Sequence, residues 1–204
     1  MQHFVITIAR QFGSLGRPIA RELSGYLGIQ YYDRDIVEEV SHKMNLPVST
    51  ISASEEKAKS LFFNMKYPLG TATTPTQDKI FSVQREIILN LAEKESCIIV
   101  GRCSDYILEG MKNHISIFIH APYAARMDNC VNRLHLSEQE AEKMIAAVDK
   151  ARNSYHLRYA HYLPYDVNHK DLLINSSQLG VEGTAQYLAD FIRKKFAYLP
   201  SDSE

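Results

Sequence analysis

Arginine is the residue whose placement first suggests chemistry. The stretch Arg10-Gln-Phe-Gly-Ser-Leu-Gly-Arg17 sets two glycines and a serine between a β-branched run and a basic residue that opens a helical pattern. Such a turn can bind phosphate, because glycines let backbone N–H groups converge, the helix start adds partial positive charge, and a cation there reaches outer oxygens. Against the pattern G-x-x-x-x-G-K-[ST], Gly16 takes the last glycine and Arg17 the lysine. Gln11 stands where the first glycine belongs and Pro18 where the hydroxyl belongs, so one metal ligand and one backbone donor are lost. An ordinary strand, turn and helix with a solvated arginine would use the same residues.

Three other turns carry polar groups: Asp33-Arg34-Asp35, Gly101 to Asp105, and His120 to Tyr123. Counting the first loop, three of the four contain arginine, and two pair it with aspartate. Farther on, Asp149 and Arg152 are three apart on a helical stretch, which sets them on one face, either as a salt bridge or aimed at a common target. Arg126, Arg133 and Arg158 add positive charge to the same region. No paired carboxylates or Ser/His/Asp set compete with an anion-binding reading.

The elements that must position these groups follow from periodicity. Short β-branched runs at Phe4–Ala9, Ile29–Tyr32, Cys97–Val100, Ile115–Ile119 and Leu172–Ile174 read as strands buried on both faces of a parallel sheet. Helical patterns fall between them at Arg17–Leu27, Asp78–Glu95, Ala124–His135, Ser137–Tyr159 and from Gly180 onward. Gly28 can end the first helix, and Ser137-Glu-Gln-Glu140 is a capping box. Alternating strands and helices define an α/β fold whose ligands sit at the carboxyl ends of the strands, where all four turns lie.

The 204 residues suit one domain spanning 1–204, with a turn-rich excursion at about 46–78. Twenty-three Lys plus Arg balance 24 Asp plus Glu, so a nucleic-acid or membrane-surface partner would need a local basic patch, and a small-molecule partner is expected. Three cysteines at no metal-ligand spacing and scattered histidines support neither a disulfide framework nor a metal site. A reducing, cytoplasmic setting fits. No apolar run approaches the roughly 18 residues that span a bilayer.

Four segments resemble the cytidylate kinase-like family of P-loop nucleoside-monophosphate kinases: Ile6–Arg17, Tyr31-Tyr-Asp-Arg-Asp35, Cys97–Leu108 and Asp149-Lys-Ala-Arg-Asn-Ser-Tyr155. The resemblance implies a three-layer fold, with a parallel five-stranded sheet in order 2-3-1-4-5 and a helical lid at about 124–160. It implies an ATP- and Mg2+-dependent transfer of a γ-phosphoryl group to a CMP-like acceptor. A catalytically silent nucleotide-binding module and a kinase for another small metabolite are the alternatives. On the donor side it implies roles for Gly13, Ser14, Leu15, Gly16 and Arg17. On the acceptor side it implies roles for Asp33, Arg102, Asp105, Asp149 and Arg152, with helix capping the other use of the first and third of these. Arg17, Arg152 and Arg126 are the expected catalytic cations. Leu15 replaces a usual glycine, Cys103 the base-reading aspartate, and Lys170 and Asn175 two donor-side residues; the usual tryptophan is absent.

Overall fold

A computed structural model of the chain describes residues 3–33, 42 and 75–197. Five strands form one sheet: β1 Val5–Arg10, β2 Gln30–Tyr32, β3 Cys97–Val100, β4 His114–His120 and β5 Leu172–Asn175. Their order is β2-β3-β1-β4-β5, as expected, and every pair is parallel. Val5 is in register with both Cys97 and His114, so the central strand ends beside the ends of its two neighbours. That alignment gathers the turns after β1, β3 and β4 at one edge.

The helices are α1 Gly16–Leu27, α2 Pro75–Lys94, α3 Ser104–Ile107, α4 Tyr123–Asn132, α5 Glu138–Ala160 and α6 Gly180–Ala197. The period-2 alternation of each strand fills both sides of the sheet. Ile6, Ile8, Ile98, Val100, Ile115, Ile117 and Ile119 pack with Ile19 and Leu23 of α1 and with Leu188 and Ile192 of α6. Val5, Cys97 and Ile99 face the other way, onto Ile87, Ile88 and Ala92 of α2 and Ile107 of α3. A separate apolar cluster joins Phe12 to Cys130 of α4 and to Ala141, Met144, Ile145 and Val148 of α5. Burial of one such side chain contributes about 1.5–3 kcal/mol, so Phe12 fastens the turn after β1 to the α4–α5 pair.

The capping box at Ser137 forms as the sequence predicts: its hydroxyl accepts from the Glu140 N–H and the Glu140 carboxylate accepts from its own N–H. Gly28 ends α1 at φ 65°. Helix α2 begins three residues earlier than its apolar periodicity suggests. Helix α3 and a 3-10 turn at Val167–His169 have no sequence signal, being too short to show a period. The excursion expected at 46–78 lies outside the described residues up to 74, as do Arg34 and Asp35. None of the described helices is long and apolar enough to cross a membrane.

Candidate active site

Arg10, the last residue of β1, is the centre of the site. It is 6% exposed, and its side chain threads between two glycines. A Cβ on Gly16 would lie 2.7 Å from the Arg10 Cβ and 3.0 Å from its Cγ, and one on Gly101 would run into Nη1. Gly16 is therefore required by the stem of the arginine, whereas a side chain at Gly101 would have to displace the guanidinium end. The sequence counts Arg10 among the arginines of the turns but gives it no role of its own. The available signal was a charged residue closing a β-branched run.

The loop that follows is held open around a cleft of about 230 Å³ lined by Arg10, Gly13, Leu15, Gly16, Arg17 and Arg152, among others. Gly13 adopts φ 76°, and a Cβ there would meet the Arg126 carbonyl at 2.9 Å. Leu15 sits at φ 60° as the N-cap of α1, in the left-handed region where a glycine is easier, at a cost of about 1 kcal/mol. Helix α1 has no side-chain cap and no acidic residue in its first turn, so its N-terminal dipole faces the cleft uncompensated. Pro18 falls in that first turn, where its missing N–H interrupts nothing in the helix, and the i→i−4 bond from Ile19 to Leu15 closes at 3.0 Å. Phosphate groups fit this donor set. A magnesium ion does not gain a protein ligand from it: the Ser14 hydroxyl is fully buried and donates to the carbonyls of Gln11 (2.9 Å) and Ile119 (3.1 Å). Among the described residues no three His, Cys, Asp or Glu side chains cluster as metal ligands.

Behind the loop, α4 and α5 grip its backbone. Arg126 Nη1 donates to the Phe12 carbonyl (3.2 Å), Asn129 Nδ2 to the Gly13 carbonyl (2.9 Å), and Arg152 Nη1 to the Arg10 carbonyl (3.1 Å). Asp149 accepts the Phe12 N–H at 2.8 Å and is bonded to Arg126. The structure thus brings the expected Asp149 and Arg152 together with Arg126, but as supports of the turn after β1; Arg126 and Asp149 are absent from the lining of the cleft. Arg158 pairs with Asp78 at 2.7 Å on the outer side of α5.

At the end of β2, Asp33 is 1% exposed and joins Arg17, while Tyr31 donates its hydroxyl to the same oxygen at 3.0 Å. The donor-side and acceptor-side residues named from sequence therefore touch. Burial alone would raise the Asp33 pKa, but Arg10, Arg17 and Arg102 outweigh it and hold the carboxyl below its ordinary range. Burial, then the neighbouring Asp33, pushes the Tyr31 hydroxyl well up, so it serves as a neutral donor. Asp33 Oδ1 is buried with no hydrogen-bond partner among the described residues.

After β3, Gly101, Arg102 and Cys103 take φ values of 77°, 61° and 52°, three successive left-handed residues. Two of them are not glycine, and strain of about 1–2 kcal/mol each is held at this turn. The turn aims Arg102 and Cys103 into a smaller cavity of about 40 Å³, whose wall also includes Arg10, Arg152, Asp105 and His156. Arg10 and Arg152 line both spaces, so two anion-sized compartments meet at a shared pair of cations. Asp105 does not cap α3. Its carboxylate is held between His156 Nε2 (2.9 Å) and Lys170 Nζ. Burial raises its pKa, and His156 and Lys170 more than reverse that, leaving it ionised. Lys170 and His156 are tertiary partners from distant segments, which no local pattern reveals.

A parallel five-stranded sheet in the order β2-β3-β1-β4-β5 with flanking helices, and arginine-walled spaces at its carboxyl edge, make an α/β fold of the nucleoside-monophosphate-kinase type. The profile of the cytidylate kinase-like family matches residues 5–178. The chain belongs to that family, and membership supports a kinase-type phosphotransferase. A cytidylate kinase of Sulfolobus acidocaldarius is 23% identical over 191 residues, covering 93% of this chain and 94% of the relative. Among solved structures, an uncharacterized protein from Eubacterium ventriosum is similar at a TM-score of 0.69 and 26% identity, covering 97% of this chain and 100% of that one. Shikimate kinase from Bacteroides thetaiotaomicron shares the fold at a TM-score of 0.54 and 9% identity, covering 95% and 98%.

Proposed function

We propose that the chain transfers the γ-phosphoryl group of ATP to the phosphate of a nucleoside monophosphate of the CMP type. The observation that carries this reading is the pair of compartments joined by Arg10 and Arg152, one at the uncapped start of α1 and one behind the Arg102 turn. Phosphoryl transfer asks chiefly for alignment and for positive charge about a dispersed transition state, and both can be supplied by fixed guanidiniums. The Gly13–Arg17 loop and Arg17 hold the donor's outer phosphates. Arg102 holds the acceptor phosphate, Asp33 and Asp105 lie on the acceptor side, and Arg10 and Arg152 stand between the two. As the acceptor oxygen bonds to the γ-phosphorus, the bond to the ADP oxygen breaks, and its charge returns to the loop.

Arg126 and Asp149 act by fixing the loop, and Asn129 assists. The expected lid region, α4 and α5, is fastened to the back of the loop by these contacts. Magnesium, bound through nucleotide phosphates and water, would neutralise β- and γ-oxygen charge. The chain supplies no hydroxyl at position 18 to hold it. A reducing, cytoplasmic setting is the reading that three buried cysteines, Cys97, Cys103 and Cys130, favour.

The cytosine-reading role is the part open to replacement, because Asp105 is engaged with His156 and Lys170 and Cys103 stands on the cavity wall. That favours, as a second reading, kinase chemistry on a different phosphate-bearing acceptor. Coupled ADP release with CMP, dCMP, UMP and a wider acceptor panel, beside ATP calorimetry, separates the readings. CMP turnover is expected. ATP binding without turnover on any acceptor marks a silent nucleotide-binding module, and failure to bind ATP removes both. Arg17→Ala is expected to weaken ATP binding by about 10- to 100-fold, the loss of a charge-assisted contact; full retention refutes the donor assignment.

A further inference from the structure

Asp105 sits in a buried ionic cluster with His156 and Lys170, to which the phosphoryl-transfer reading gives no task. The Lys170 side chain is fully buried, and those of Asp105 and His156 are nearly so. His156 Nδ1 lies 2.8 Å from the Tyr162 carbonyl, while Nε2 lies 2.9 and 3.1 Å from the two Asp105 oxygens. Lys170 Nζ stands 5.5 Å over the Tyr162 ring, and that ring stacks on His169 at 3.6 Å. The cluster joins three separate pieces of chain: the turn that carries Arg102, the helix that carries Arg152 one turn before His156, and the segment entering β5. Stability alone does not require it, since apolar residues of the same volume commonly serve a core as well or better.

Its special property is electrostatic. Asp105 shares the wall of the small cavity with Arg10, Arg102 and Arg152. An uncompensated carboxylate there would cancel much of the positive potential that an oxyanion needs. We propose that Lys170 and His156 are positioning residues for the acceptor side: they hold and neutralise Asp105, so that the cavity walled by Arg10, Arg102 and Arg152 stays positive enough to bind a phosphate-type anion. This rests on reading that cavity as the acceptor compartment. Lys170 thereby sets anion affinity without touching the anion.

The test uses the full chain without ATP, with inorganic phosphate as probe, followed by calorimetry and by side-chain NMR shifts of Arg102 and Arg152. Wild type is expected to bind phosphate saturably with both side chains shifting. Lys170→Met should weaken binding about tenfold or more, as expected for one unmasked charge within several ångströms at an effective dielectric constant near 20. The double variant Lys170→Met/Asp105→Asn should return to within about threefold of wild type, because the unmasked charge is gone. A merely structural role predicts the opposite, with the double variant no better than the single. Asp105→Asn alone provides a second measurement should Lys170→Met fail to fold, and it should bind at least as tightly as wild type. Undiminished binding by Lys170→Met, weaker binding by Asp105→Asn, or no phosphate binding by wild type overturns the proposal. ATP turnover is scored separately, so failure of the kinase reading leaves these phosphate outcomes intact.

Discussion

Replacing Gly101 with alanine isolates the packing of Arg10 from ordinary backbone strain. Gly101 and Gly28 both adopt positive φ, 77° and 65°, so alanine at either is expected to cost about 1 kcal/mol through its Cβ. Beyond that shared cost the two sites differ. A Cβ on Gly28 meets nothing within 4 Å, whereas one on Gly101 strikes Nη1 of the buried Arg10. Moving that guanidinium end takes a cation away from buried Asp33, which it offsets, adding about 1–3 kcal/mol. Gly101→Ala should therefore lose about 2–4 kcal/mol and Gly28→Ala about 1 kcal/mol, measured by urea unfolding with equal slopes. On an Arg10→Met background the excess should vanish, a coupling of about 1–3 kcal/mol. Equal losses for the two alanines, or an excess that persists without the guanidinium, would refute the threading of Arg10 between its glycines.

Two further outcomes follow from buried polar groups. Burial, partly opposed by Asp105 and Asp171, lowers the pKa of His114 to about 4, and its Nε2 lies 2.7 Å from the Thr7 hydroxyl. The unfolded ring binds its proton near pH 6.5, so between that pH and about 4 the unfolded state holds more protons and native stability falls as pH falls. The loss is on the order of 3 kcal/mol, and it should shrink in His114→Gln; superimposable urea profiles for the two proteins across pH 4–7 would count against it. Asp149→Ala strips both the Phe12 N–H and Arg126 of a partner and should cost about 2–4 kcal/mol. Combined with Arg126→Met the losses should be less than additive by at least 1 kcal/mol in a double-mutant cycle, and strict additivity would show that the pair does not brace the loop.

Strands and long helices were legible because their physics is local. Ile98, Ile99 and Val100 can only be satisfied on both faces of a sheet, and the Ser137–Glu140 box declares a helix start from four residues. The turn that carries Gly13 and Ser14 between β1 and the start of α1 was legible for the same reason. What the sequence concealed is tertiary. Arg10 belongs to a strand and matters because Gly16 and Gly101, far apart in the chain, make room for it. The partners of the aspartates could not be anticipated: Arg17 for Asp33, Phe12 and Arg126 for Asp149, His156 and Lys170 for Asp105.

The grip of α4 and α5 on three loop carbonyls bears on how this fold can be recombined. Arg126, Asn129 and Arg152 each hold a different residue of the turn after β1, and Phe12 inserts its ring among apolar side chains of both helices. Those helices are consequently not an exchangeable cassette. A chimera that imports them from a distant relative would bring donor side chains cut for another loop, and Phe12 would face a foreign socket. Residues 10–13 and 126–152 form one structural unit, although more than a hundred residues of chain lie between them.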